Sequence, residues 1–157
     1  NNLQPTGVFK VLRSGGNLLS SEILKSYEFY GIKAVRIKEG TNGKVAIIGQ
    51  SMGDFPKRGE YGVVDYARKL REKGYQTELF AGDRITDEAR NELREKVEEL
   101  GRDLTPIELE TTIAYKQNIA WAKWVKEEGF TVIDIGNPNN KPYSHFYNGE
   151  CINIFGN

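Results

Sequence analysis

The sequence has little of several features that normally point to a function. Its 157 residues include one cysteine, Cys151, and one histidine, His145. A single cysteine excludes an intramolecular disulfide and a cysteine-based zinc site. No apolar run approaches the roughly 20 residues that a membrane-spanning helix needs, so we expect no stable membrane insertion. We also expect no metal ion and no cofactor, because no set of ligands has a diagnostic spacing.

Net charge is also absent, since 22 Lys and Arg residues balance 22 Asp and Glu residues. The chain therefore has no overall basic field that attracts nucleic acid. The charges are unevenly distributed, however, because residues 1–49 contain seven basic and three acidic residues, and residues 50–157 contain fifteen and nineteen. The N-terminal part can present a basic face or simply a solvated surface.

The apolar pattern predicts an α/β fold. Residues 45–48 and 130–136 are largely apolar, as in strands that are covered on both faces. A helical pattern over residues 63–73, between the predicted strands 45–48 and 76–80, indicates a β-α-β unit with parallel strands. Other helices are predicted over residues 21–30, 86–100 and 105–128, the last beginning with the capping box Thr105-Pro106-Ile107-Glu108.

The edges of the fold are less regular. Residues 32–38 and 44–49 are expected to form a hairpin through the turn at Asn42-Gly43, and residues 151–155 an edge strand. The predicted fold class is therefore α/β, a mainly parallel central sheet flanked by helices, with a small N-terminal extension that contains a hairpin. We predict one compact domain, in which residues 1–43 form the extension and hairpin arm and residues 44–157 the α/β core.

Candidate functional residues follow the ends of the predicted strands. In an open parallel sheet, ligands bind beyond the carboxyl ends of the strands. Three loops are expected at that edge, residues 50–59, 81–84 and 136–142, and the last continues into residues 143–150. The candidates for substrate binding there are Gln50, Ser51, Asp54, Arg58, Asn137 and Asn148. The candidates for catalysis are Asp134, His145, Tyr147 and Glu150.

His145 and Glu150 are the pair best suited to proton transfer. A histidine acts as a general acid or base near neutral pH, and a neighbouring carboxylate raises its pKa and orients its ring. Five residues apart in a loop or a bent strand, the two side chains can face each other. A structural role is the alternative for His145, whereas Glu150, in a largely aromatic stretch, needs a partner or solvent.

Two further patterns leave alternatives open. Trp121 and Trp124 lie three residues apart on a predicted helix, where both can pack in the core. The alternative is that Trp121 binds substrate by stacking on a base. Ser51 is the central residue of a Gly-x-Ser-x-Gly pattern, which with His145 and Asp134 permits a hydrolase triad. Asp54-Phe55-Pro56 follows at once and interrupts the sharp turn into a helix that such a nucleophile requires.

Four short motifs stand out along residues 44–155. They are Val45-Ala46-Ile47-Ile48-Gly49-Gln50-Ser51-Met52, Asn118-x-x-Trp121, Val132-Ile133-Asp134-Ile135-Gly136-Asn137-Pro138 and Ser144-x-Phe146-Tyr147-Asn148-x-Glu150. In this order they resemble motifs of the C-terminal toxin domains of bacterial polymorphic toxins, including the contact-dependent growth inhibition and RHS-type systems. The start at Asn1-Asn2 is similar to the end of the Val-Glu-Asn-Asn boundary of such toxins, whereas Gly149 departs from the pattern, which has methionine there.

The resemblance implies an antibacterial toxin used in interbacterial competition. Such a domain is secreted or displayed on the cell surface as part of a larger protein, and it acts in the cytoplasm of the target bacterium. A cognate immunity protein neutralises it in the producer. Many of these toxins are nucleases, and some that cleave transfer RNA need elongation factor Tu.

We therefore expect a metal-independent ribonuclease, a hydrolase that cleaves tRNA, with His145 as general acid or base beside Glu150, Tyr147 and Arg58. One alternative is a toxin that hydrolyses NAD or another nucleotide at its glycosidic bond, using Glu150 or Asp134. The other is a binding module without catalysis, in which the aromatic C-terminal stretch belongs to the core.

Overall fold

A four-stranded sheet forms the centre of the computed structural model, which describes residues 21–50, 61–137 and 144–157 and the backbone of residues 13–14 and 17–18. Its strands are β5 (Arg36–Lys38), β6 (Val45–Ile48), β7 (Thr77–Glu78) and β8 (Thr131–Asp134). The strand order is β5-β8-β6-β7. Strand β6 runs parallel to β7 and β8, whereas β5 runs antiparallel to β8. Two small antiparallel hairpins precede it, β1 (Arg13–Ser14) with β2 (Asn17–Leu18) and β3 (Glu28–Phe29) with β4 (Ile32–Lys33).

Seven helices are seen in the part of the chain that the structure describes. They are α1 (Ser21–Ser26), α2 (Val63–Glu72), α3 (Phe80–Asp83), α4 (Asp87–Leu100), α5 (Pro106–Glu110), α6 (Ile113–Glu127) and α7 (Ser144–Phe155). Threonine caps three of them: Thr86, Thr105 and Thr112 each accept a hydrogen bond from a backbone N–H of the first turn. These caps satisfy donors that a helix leaves unpaired at its start. No described helix is long and apolar enough to cross a membrane.

The two faces of the sheet pack against different partners. Side chains alternate along a strand, so Ile47 and Ile133 lie on one face and Ala46 and Val132 on the other. The first face packs against α1, α2 and the β3–β4 hairpin. The second packs against α6 and α7. The α/β class predicted from the sequence is confirmed, but the sheet is mixed and not simply parallel.

The predicted hairpin of residues 32–38 with 44–49 is wrong. Strand β4 pairs with β3, and β5 pairs with β8. The reason lies in the segment between β5 and β6, where the N–H groups of Thr41 and Asn42 both donate to the carbonyl oxygen of Gly129, at 2.7 and 3.0 Å. These bonds attach the turn to the end of α6 and direct β5 to β8.

Two helix predictions also change. The predicted helix over residues 105–128 is two helices, because the hydroxyl of Thr112 donates to the carbonyl oxygen of Leu109 at 2.6 Å and accepts from the N–H of Tyr115 at 3.1 Å, so that Thr112 caps a new start. The predicted edge strand over residues 151–155 is the end of helix α7. The predicted strand over residues 76–80 is reduced to β7, since Phe80 begins α3.

The predicted boundary between an arm of residues 1–43 and a core of residues 44–157 stays a prediction. Strand β5 lies before that boundary and is paired with β8 in the central sheet.

Candidate functional site

Asp134, the last residue of β8, is the centre of a buried polar network. Its side chain is fully buried. Its carboxylate accepts hydrogen bonds from Arg36 Nε at 2.8 Å and from the Tyr147 hydroxyl, which lies 3.0 Å from each carboxylate oxygen. The backbone N–H of Gly136 donates to Oδ1 at 2.8 Å. Three donors thus compensate the loss of hydration of this carboxylate.

Arg36 reaches Asp134 because the β5–β8 register places the two residues opposite each other. Its guanidinium lies 3.8 Å from the centre of the Phe155 ring, and its Nη1 donates to Asn157 Oδ1 at 2.9 Å. Burial lowers the pKa of Arg36, but the hydrogen bonds and the negative charges of Asp134 and Cys151 together outweigh this effect, so the pKa is raised. With 32% of its side chain exposed, Arg36 connects the network to solvent.

Tyr147 and Cys151 lie one turn apart on α7 and face the same carboxylate. Burial, a hydrogen bond with Cys151 and the charge of Asp134 all raise the pKa of Tyr147, so the phenol remains a donor. Burial also raises the pKa of Cys151, against hydrogen bonds with Tyr147 and Arg36 that lower it. Both side chains are therefore protonated at neutral pH.

Glu150 brings a second carboxyl group to the network. Burial and then the negative charge of Asp134 raise its pKa to about 8, while a hydrogen bond with the Asn118 side chain acts in the opposite direction. Glu150 is therefore mostly protonated at neutral pH. Asn118 is itself buried, and its Nδ2 donates to the carbonyl oxygen of Phe146 at 3.1 Å. Its Oδ1 is buried and has no hydrogen-bond partner among the described residues.

Gly149 allows α7 to approach α6 closely enough to form this contact. A Cβ atom at Gly149 would lie 2.6 Å from Ile119 Cδ1 and 3.1 Å from the Tyr115 hydroxyl oxygen. The glycine that departs from the toxin-like pattern thus has a packing role. We refer to the residues assembled here as the Asp134 cluster: Arg36, Asn118, Asp134, Tyr147, Glu150 and Cys151.

His145 lies on another side of α7. Its Nε2 pairs with Glu110 Oε2 at 2.7 Å, and its ring stacks on Tyr115 with centroids 5.2 Å apart. Five residues along an α-helix correspond to a rotation of about 140° and a rise of about 7.5 Å, so His145 and Glu150 point in different directions. The structure therefore gives His145 a partner other than the predicted Glu150, from the end of α5.

The predicted substrate-binding residues that the structure describes do not form one group. Trp121 is buried in the core beside Phe80, and its Nε1 donates to Glu78 Oε1 at 3.1 Å. Gln50 follows β6 and donates its backbone N–H to the carbonyl oxygen of Gly136 at 2.7 Å. Asn137 is half-buried after β8, and Asn148 is exposed on α7. Ser51, Asp54 and Arg58 lie outside the described residues.

Three members of the Asp134 cluster were not predicted as site residues: Arg36, Asn118 and Cys151. Asn118 stood in a motif that resembles the toxin pattern, which was the one available signal. Arg36 belongs to the alternating apolar and basic pattern of residues 32–38, which predicts that its side chain lies on the solvent-exposed face of a strand. Among the described residues, no three His, Cys, Asp or Glu side chains are grouped to hold a metal ion.

These observations define a site with two carboxyl groups, one of which retains its proton at neutral pH, beside a phenol and a guanidinium. No protein-family model, no curated protein and no solved structure matches this chain.

Proposed function

We propose that the chain is an antibacterial toxin domain that cleaves tRNA as a metal-independent ribonuclease, and that the Asp134 cluster is its reaction centre. The observation that carries the proposal is the buried Glu150 carboxyl group, whose pKa is raised to about 8 by burial and by the charge of the buried Asp134 carboxylate. Burying two carboxyl groups opposes folding, whereas a carboxylic acid that its surroundings keep protonated is a recurrent arrangement in acid–base catalysis. The toxin-like motifs that contain Asp134, Tyr147 and Glu150 support the same conclusion.

Arg36 and Tyr147 are suited to bind a phosphodiester. Both donate to the Asp134 carboxylate in the free protein, and carboxylate and phosphate oxygens accept the same kinds of hydrogen bond. In the proposed mechanism the scissile phosphate takes over these donors. The positive charge of Arg36 then stabilises the negative charge that develops at phosphorus.

Asp134 and Glu150 divide the proton transfers. Once Arg36 and Tyr147 bind phosphate, the Asp134 carboxylate loses two donors and accepts the proton of the ribose 2′-hydroxyl, whose oxygen attacks phosphorus. Glu150 donates its proton to the departing 5′-oxygen. The products are a 2′,3′-cyclic phosphate and a 5′-hydroxyl, and a proton passing from Asp134 to its neighbour Glu150 restores the starting state.

The proposed biology follows the resemblance to polymorphic toxins. The domain is delivered into a competing bacterium as part of a larger secreted or surface protein, and a cognate immunity protein protects the producer. Zero net charge is compatible with a toxin whose RNA is presented by elongation factor Tu, since such a toxin needs no strong basic field of its own.

Hydrolysis of NAD or another nucleotide at the glycosidic bond is a second candidate, favoured by one specific observation. A protonated carboxylic acid and an ionised carboxylate are the two groups that glycosidic hydrolysis uses, one to protonate the leaving group and the other to stabilise positive charge on the ribose. Glu150 and Asp134 supply this pair. This reaction has no direct need of the guanidinium of Arg36, which makes RNA cleavage the better fit.

Expression of the chain in bacterial cells tests both candidates at once. The wild type, Glu150→Gln and the control Glu127→Gln, which removes an exposed carboxylate from α6, are induced in parallel. Total RNA is separated on a gel and cellular NAD is measured. We expect cleaved tRNA and intact NAD for the wild type and the control, and intact tRNA for Glu150→Gln. NAD loss with intact RNA supports the second candidate, and no effect on either molecule supports a binding module.

A further inference from the structure

The turn between β3 and β4 contains a residue that does not suit its backbone. Phe29 and Ile32 are paired, so Tyr30 and Gly31 form a two-residue loop. Both have positive φ angles, 56° and 78°, which is the requirement of a type I′ turn. Asparagine is preferred at the first of these positions, and a tyrosine with positive φ is unusual. A local preference that is violated in this way indicates a role for the side chain beyond the turn.

The Tyr30 side chain forms an exposed aromatic stack. Its ring lies parallel to that of Tyr61, with centroids 4.0 Å apart and an interplanar angle of 8°, although the residues are 41% and 37% exposed. Arg68 Nη2 donates to the Tyr30 hydroxyl at 2.8 Å, and Lys69 Nζ lies 5.7 Å from the centre of the Tyr30 ring. Tyr30 is thus held in place and in turn supports one face of Tyr61.

Tyr61 also lines a pocket of about 240 Å³ at the carboxyl ends of β6 and β8. The lining residues are Gly31, Ile32, Lys33, Gln50, Tyr61 and Ile135. The pocket is smaller than the roughly 300–1,000 Å³ of sites that enclose a drug-sized ligand, so it suits one small planar group. Gly31 leaves open space around it, since a Cβ atom there would meet nothing within 4 Å.

We propose that this pocket binds one nucleobase of a single-stranded RNA segment, with the base stacked on Tyr61. Stacking on an exposed aromatic ring is the usual way in which proteins hold an unpaired base. Ile32 and Ile135 provide an apolar lining for the rest of the ring system. Among the described lining residues, Lys33 is the one with a charge, and it is exposed at the rim, 3.5 Å from Glu28, where it is placed to meet a phosphate.

The position of the pocket relative to the Asp134 cluster gives the site its proposed purpose, and this step rests on the function proposed above. Ile135 lines the pocket and directly follows Asp134. Because neighbouring residues of an extended segment point to opposite sides, the pocket and the cluster lie on the two sides of one sheet edge. An RNA strand that crosses this edge can place a base against Tyr61 and a nearby phosphate at Arg36.

Direct titration of the wild-type protein tests the proposal without any need for catalysis. Adenosine monophosphate and uridine monophosphate are added during NMR measurement of the backbone amides, and ribose 5-phosphate, which lacks a base, is the control. We expect the amide signals of Gly31, Lys33 and Gln50 to shift with the nucleotides and not with the control. Shifts confined to other residues, or equal shifts with ribose 5-phosphate, overturn the proposal.

Matched variants test the stacking itself. Tyr61→Phe keeps the ring, whereas Tyr61→Leu keeps only apolar volume, so we expect binding to weaken about 5- to 150-fold in the leucine variant relative to the phenylalanine variant. Tyr30→Asn places the preferred residue in the turn and removes the supporting ring, so it should fold and bind more weakly. Equal affinities among folded variants refute stacking.

The results also separate this proposal from the proposed ribonuclease activity. If the protein binds nucleotides but does not cleave RNA, the base-binding pocket is supported and the ribonuclease activity is rejected. If the protein cleaves RNA but binds no nucleotide, and Tyr61→Leu cleaves as fast as the wild type, the ribonuclease activity is supported and the base-binding pocket is rejected.

Discussion

Replacing Glu150 by glutamine should change the pH dependence of stability in a way that few single substitutions do. In the folded protein the pKa of Glu150 is about 8, whereas an unfolded glutamate titrates near 4.5. Because the folded-state pKa is the higher one, the folded state binds the proton more tightly. The contribution of Glu150 to stability is complete below about pH 4.5 and is lost as pH rises towards 8.

The size of this effect follows from the pKa difference. A shift of about 3.5 units corresponds to about 5 kcal/mol at full ionisation, at about 1.4 kcal/mol per unit. Between about pH 5 and pH 7 the wild type should lose roughly 2 to 3 kcal/mol through this residue alone. That loss is a large fraction of the 5–15 kcal/mol by which a typical domain is stable. Glutamine retains the shape of the side chain, and it has no charge to bury.

Urea unfolding of wild type and Glu150→Gln at several pH values between about 5 and 9 provides the assay. We expect the variant to be more stable than the wild type above pH 7, with a difference that grows with pH and levels off above the folded-state pKa. Glu127→Gln, with its exposed position on α6, should follow the wild-type curve. A difference between Glu150→Gln and the wild type that is constant with pH refutes the claim that folded Glu150 holds a proton.

Three further substitutions test other parts of the account. Tyr147→Phe removes the hydroxyl that donates to the buried Asp134 carboxylate, and should lower the free energy of unfolding by about 1.5–3 kcal/mol in urea titrations. Gly40→Ala places a Cβ atom in collision with the Gly129 carbonyl oxygen, and should destabilise the protein by about 3 kcal/mol, measured in the same way. His145→Gln should retain RNA cleavage, because the imidazole pairs outside the Asp134 cluster; a loss of more than about tenfold in rate, with the fold intact, returns His145 to the reaction.

The parts of the fold that local sequence patterns predict are those with strong local causes. The apolar run Val45–Ile48 is a central strand because it is covered on both faces. The capping box at Thr105 and Glu108 begins a helix where predicted. Both patterns depend on residues that are close in sequence, so they are readable without knowledge of the tertiary structure.

Helix α7 was missed because its sequence opposes its structure. The segment contains many poor helix formers. They are Gly149, the β-branched Ile152 and Ile154, and several aromatic residues. The helix forms because Gly149 permits close packing against α6, which is a tertiary effect. The sequence predicts Glu150 as a catalytic residue. Asn118, which forms a hydrogen bond with it, appears in the sequence analysis only as part of the Asn118-x-x-Trp121 motif.

The role of Arg36 was not predictable from local patterns. It lies 98 residues from Asp134, and the two meet only because β5 pairs antiparallel with β8. The Asn42-Gly43 turn indicated a different pairing, and hydrogen bonds to Gly129 override that preference. Long-range pairing of short strands depends on the whole sheet, so the sequence indicated Asp134 and Tyr147 but not their contact with Arg36.

Incubation of purified tRNA with the purified protein, in the presence and absence of elongation factor Tu, decides whether the Asp134 cluster cleaves tRNA. We expect the wild type and Glu127→Gln to produce tRNA fragments ending in a 2′,3′-cyclic phosphate, and folded Glu150→Gln to produce none. Intact tRNA under both conditions with the wild type, or equal cleavage by Glu150→Gln, refutes the proposed reaction.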